Sequence, residues 1–141
     1  MKIDYVVQPI TDALKEIFPV LVENKYRRAM ILGTPSFPSP QDKGGLKWKA
    51  TIIFVKLIGG SAYDEFKALG TYVAAQDVTQ LKWTLFRVPF LTNGPDMPVV
   101  ATYTGSGSDG ITLSRKSLAT WVLEEMGEGS EWVAKAPLLS N

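Results

Sequence analysis

The chain has 141 residues, a formal net charge of +1, and 45% hydrophobic against 21% charged residues. That is enough chain for one domain with its own core, and too little charge to predict a nucleic-acid partner. It contains no cysteine and no histidine, which excludes disulfides, thiolate metal sites, a cysteine nucleophile, a Ser-His-Asp triad and the common zinc sites.

In chain order, residues 3–8 are β-branched and aromatic and predict a buried strand. Pro9 opens a helix that Thr11 or Asp12 can cap, with Ala13, Leu14, Ile17, Phe18, Leu21 and Val22 at helical spacing. The helix fades at Asn24 and Lys25, and residues 28–32 form a second strand. Residues 35–45 carry three prolines and two glycines and predict an irregular loop. Residues 46–58 are apolar on most sides and could form a helix or a strand; a helix that runs to a break at Gly59 and Gly60 is preferred. A further helix over 62–76 places Tyr63, Phe66, Leu69, Gly70 and Val73 on one stripe.

Residues 83–88 form a third strand, ended by Pro89, and residues 99–104 a short one. Ser114 caps a helix running to about Met126, and residues 132–136 predict a last strand. Strand and helix alternate throughout. One α/β domain over residues 1–141, with a small and mainly parallel sheet, is the expected architecture. Residues 1–7 do not read as a secretory signal, and the apolar run 50–60, interrupted by Lys56, is shorter than the roughly 20 residues that span a bilayer. No stable membrane insertion is expected, and the cytoplasm is the expected location.

The stretch 105–110, Gly-Ser-Gly-Ser-Asp-Gly, matches G-x-G-x-x-G between a strand and a helix. A dinucleotide loop needs its third glycine in the first turn of the helix, so that the helix N-terminus faces the pyrophosphate. Here residues 111–114 intervene, and Glu131 precedes its strand instead of ending it. A turn between two short strands is the reading. No cofactor and no metal is expected on these residues.

Three features occur in one order. They are the run 28–37, Arg-Ala-Met-Ile-Leu-Gly-Thr-Pro-Ser-Phe; the run 83–95, Trp-Thr-Leu-Phe-Arg-Val-Pro-Phe-Leu-Thr-Asn-Gly-Pro; and the pair 113–119 with 132–137. This order resembles the C-terminal part of the atypical short-chain dehydrogenases/reductases, the NAD(P)H-binding, NmrA-like proteins. The resemblance implies a truncated Rossmann-like three-layer domain that starts at the family's fourth strand, without the half that grips the nucleotide. A sheet cut there exposes an apolar edge, at residues 3–7 or 28–32, which an identical subunit would cover. A homodimer is the expected assembly.

Candidate chemistry falls on few residues. Tyr63 and Lys67 match the Y-x-x-x-K spacing of the classical short-chain dehydrogenases. On a helix the two share one face, and an ammonium beside a phenol stabilises the phenolate, so Tyr63 could act as acid or base. Thr34 and Ser36 follow the second strand, where the resembling enzymes place a hydroxyl that hydrogen-bonds a substrate carbonyl, and where parallel sheets bind ligands. Phe90 and Asn93 end the third strand on the same side, and Arg87 inside it needs a partner or a substrate oxygen. The segment 46–58, with Trp48 and Phe54, reads as an apolar lid, a dimer contact or a membrane-surface helix, and the first two are preferred. Asp12, Asp64 and Glu65 read as surface carboxylates.

These residues suit a small non-redox enzyme, of isomerase, cyclase or lyase type, acting on a hydrophobic carbonyl compound of specialised metabolism. Two other readings stay open. One is an NAD(P)-dependent oxidoreductase whose nucleotide site a dimer partner completes. The other is a non-catalytic NmrA-like binding or regulatory module.

Overall fold

A computed structural model describes residues 7–141. Helix α1 (Pro9–Glu23) leads to strand β1 (Arg28–Gly33), and the long helix α2 (Leu46–Ala74) leads to β2 (Lys82–Arg87). Short strands β3 (Phe90–Thr92), β4 (Val100–Thr102) and β5 (Thr112–Ser114) follow, then helix α3 (Arg115–Glu124) and β6 (Leu138–Ser140). Among the described residues the main sheet has the order β1-β2-β6-β4. β1 and β6 both run parallel to β2, and β4 is antiparallel to β6. β3 and β5 form a small parallel pair of their own.

β2 is the spine of the domain because its alternating side chains serve both faces. Trp83 and Leu85 pack with Phe18, Leu69 and Val73 under α1 and α2. Phe86 and the following Val88 pack with Leu113, Trp121 and Leu139 under α3. The result is the expected α/β architecture of helix, mainly parallel sheet and helix.

Five local expectations need correction or placement. The strand expected over 3–8 lies, up to residue 6, outside the described residues, and residues 7–8 are not strand. At the start of α1 neither Thr11 nor Asp12 caps with its own side chain; Pro9 sits in the first turn and Gln8 makes no side-chain cap. The cap comes from α2. The Glu65 carboxylate accepts the Thr11 amide at 2.5 Å and the Thr11 hydroxyl at 3.0 Å, placing a negative group at the positive end of α1. Glu65 is therefore buried, not a surface carboxylate.

The two helices expected on either side of Gly59-Gly60 are one element that kinks at Gly59 (φ −109°, ψ 20°). The last strand is displaced as well. Residues 132–134 form a turn in which Ala134 adopts φ 59°, and residues 135–136 are not strand; such a left-handed backbone interrupts a ladder. The strand forms beyond Pro137, at Leu138–Ser140.

Candidate functional site

The carboxyl ends of β1 and β2 open on one side of the sheet, where ligands of parallel sheets bind. Thr34, Pro35 and Ser36 follow β1; Val88 and Pro89 follow β2, and Phe90 opens β3. The first half of α2 lies across them with Trp48, Thr51, Ile52 and Val55, and its second half adds Ala62 and Phe66. With Ile111 these residues enclose a cavity of about 220 Å³. Its lining contains no ionisable side chain. Of its hydroxyls, Thr51 is engaged with the Lys47 carbonyl at 2.8 Å. Thr34 accepts the Ser36 amide at 3.3 Å and keeps its own proton to donate.

Two carboxylates, Asp109 buried and Asp42 partly buried, hold this pocket in shape. Asp109 accepts the indole N–H of Trp48, the Gly105 amide at 2.8 Å and the Gly107 amide at 3.1 Å. Lys47 adds an ion pair at 3.5 Å and a hydrogen bond to the Asp109 carbonyl at 2.6 Å. Burial pushes the Asp109 carboxyl up, but the Gly105 amide and the Trp48 indole, with further amides, outweigh it and bring it down to about 2. Trp48, a wall of the cavity, is thereby fixed to the loop before β5.

Asp42 does the same for the loop after β1. It meets the Arg87 guanidinium in a two-pronged pair at 2.7 and 2.8 Å and accepts the amides of Ser39 and Thr104. Burial raises the Asp42 carboxyl, and the hydrogen bonds and charge of Arg87 with those two amides hold it below its ordinary range.

The structure brings together Thr34, Ser36, Trp48 and Phe90 from the candidate residues. Arg87 is fully buried, with Nε on the Ala136 carbonyl and both terminal nitrogens on Asp42, one also on the Phe37 carbonyl. Its donors are spent inside the chain, so it shapes the pocket loop instead of meeting a substrate. Asn93 is outside the lining and accepts from Arg115 at 2.7 Å. Tyr63 and Lys67 are also outside it. Tyr63 lies under the Lys56 ammonium, 5.4 Å from its ring centre, while Lys67 is exposed on a groove between α1 and α2. Sequence reasoning missed Asp42 and Asp109. The signal for Asp109 was its place within the glycine loop, where a carboxylate can collect neighbouring amides.

Two solved structures share this fold. A short-chain dehydrogenase/reductase (wide type) from Veillonella parvula DSM 2008, in complex with NADP, matches with a TM-score of 0.68 at 13% identity. An ethylated short-chain dehydrogenase/reductase from the same organism matches with a TM-score of 0.69 at 12% identity. The chain shares the fold of that part of the two short-chain dehydrogenases/reductases that it covers. Each match covers 93% of this chain and 58% of the other, so the chain spans less than two thirds of either neighbour. No family model matches the sequence, and no curated protein matches it.

The first of these neighbours holds NADP, and the 105–110 loop is the glycine-rich segment of this chain to compare with such a ligand. The fit fails on three counts. The Gly105 and Gly107 amides already bind Asp109, whose negative charge would repel a phosphate. Gly105 (φ +78°) is needed because a Cβ there would lie 2.0 Å from the Gly44 carbonyl oxygen, an approach to the chain itself. Strand β5, not a helix N-terminus, follows the loop. Among the described residues no group of three or more Asp and Glu could hold a metal ion.

Proposed function

We propose that this domain binds a small, hydrophobic molecule carrying a carbonyl or hydroxyl oxygen, with its apolar body under α2 and its oxygen at Thr34 and Ser36. One observation carries the reading: a cavity of about 220 Å³ whose lining is apolar except for three hydroxyls, one of them already engaged. An apolar cavity of roughly 150 Å³ admits benzene, so this one suits a ring with a few further heavy atoms. The polar groups are few and convergent, the usual design of a ligand site.

The pocket contributes desolvation and a hydroxyl donor, not a strong acid or base. An isomerase, cyclase or lyase would use the same cavity for its substrate, and would need proton transfer through these hydroxyls or a movement of Tyr63. The oxidoreductase reading draws support from the fold shared with a structure solved with NADP. It requires a phosphate cradle other than the 105–110 loop, supplied by a second chain in the expected homodimer or by further sequence. Kinship with NmrA-like proteins rests on the sequence runs and belongs to the same proposal.

The test is a titration with aromatic ketones and the corresponding hydrocarbons, followed by fluorescence of Trp48 in a variant whose other tryptophans are replaced by phenylalanine. Ketones should bind saturably and more tightly than hydrocarbons. Thr34→Val and Ser36→Ala should each weaken ketone binding by about fivefold, the worth of one hydrogen bond, and leave the hydrocarbons unchanged. Absence of saturable binding by either series would reject the reading. A saturable NADPH fluorescence change would favour the oxidoreductase instead.

A further inference from the structure

The face of α2 turned away from the cavity is apolar as well. Leu46, Leu57 and Ile58 are 84%, 81% and 71% exposed, and Ile53 and Phe54 are exposed beside them. Spacings of three, four and seven residues put these five on one side of the helix, opposite Trp48, Ile52 and Val55. Lys47, Lys49 and Lys56 on the helix and Lys43 in the loop before it are all exposed, and no acidic residue occurs between Asp42 and Asp64. Asp109 pairs with Lys47, which leaves three lysines without an ion pair among the described residues. In a chain whose net charge is +1, this is a concentrated positive patch around an apolar stripe.

We propose that this face of α2 rests on an anionic lipid surface, reversibly and without crossing it. An apolar stripe flanked by lysines is the composition of a helix that lies in the interface plane, with aliphatic side chains among the acyl chains and ammonium groups at the phosphates. No helix among the described residues is long and apolar enough to cross a membrane. A second copy of the chain fits less well. A two-fold contact through this face would set each set of lysines against its own duplicate with no carboxylate between them. The inference does not rest on the pocket's ligand, although a surface-seated α2 would place the cavity where apolar compounds dissolve.

The experiment is co-sedimentation of the full chain with phosphatidylcholine vesicles, with and without about 30 mol % phosphatidylserine. Binding should require phosphatidylserine and fall as salt rises. Lys49→Ala and Lys56→Ala should each reduce it by about fivefold. Leu57→Glu combined with Ile53→Glu should abolish it, with an unchanged circular dichroism spectrum because both sites are exposed. Binding that ignores phosphatidylserine and these variants would overturn the proposal, as would no binding at all. So would sedimentation equilibrium that shows a dimer dissociated by Leu57→Glu and Ile53→Glu. Ligand titrations are not part of this readout, so the pocket reading stands or falls separately.

Discussion

The indole N–H of Trp48 is bound by the carboxylate of Asp109, across a separation of 61 residues. This one contact joins the wall of the cavity to the glycine loop, and explains why the loop is occupied by the protein's own anion. Asp109→Ala would leave the indole and two amides without their acceptor, at about 1–3 kcal/mol for each that stays dry. The expected outcome is a lowered Tm and a looser pocket, seen as weakened ketone binding. Asp109→Asn is expected to lie between the wild type and Asp109→Ala, because an amide nitrogen must face at least one of the same donors.

The same carboxylate sets an acid limit. Its folded value of about 2 lies below its ordinary range, so the stabilisation is fully present above about pH 4. It is lost as pH falls toward 2, and amounts to about 2 kcal/mol. Asp42 is depressed as well and acts in the same direction. Denaturant unfolding at several pH values should show stability falling below pH 4, with a shallower fall in Asp109→Asn. Equal slopes in the two proteins would show that Asp109 is not the group responsible.

Asp42 and Arg87 form a pair whose guanidinium is wholly buried. Removing one partner strands the other charge. Asp42→Ala should therefore cost about 3–5 kcal/mol, whereas Arg87→Met, which leaves no buried cation, should cost less. Urea midpoints of the two variants decide the order.

Gly70 packs so closely on Phe37 that a Cβ would lie 2.3 Å from the ring. In an open helix, replacing glycine by alanine gains about 1 kcal/mol. Here Gly70→Ala should destabilise, because Phe37 carries the loop that presents Ser36, and its carbonyl accepts from Arg87. A raised Tm would show that the loop yields at no cost.

Tyr63→Phe and Lys67→Ala change residues outside the lining of the cavity. Both are expected to leave stability and ketone affinity within about 0.5 kcal/mol of the wild type. A large loss of affinity in Tyr63→Phe would return the phenol to the site.

Much of the fold was legible in the residues. Local periodicity and turn chemistry marked α1, both halves of α2, the strand at Trp83 to Arg87, and the Ser114 cap, which accepts the Ser117 amide at 3.4 Å. Thr34 and Ser36 were legible as residues of the sheet's open end, where they line the cavity, because they follow a parallel strand. Pairings that span the chain were not. Glu65 reaches the start of α1 from 54 residues away, and Asp109 reaches Trp48 from 61. No local pattern encodes such contacts, since each is decided when separate elements pack and a buried donor must find an acceptor. Residue types and spacing thus determined the α/β elements and excluded imidazole and thiol chemistry. Tertiary packing decided which polar groups hold the scaffold and which hydroxyls are left for a ligand.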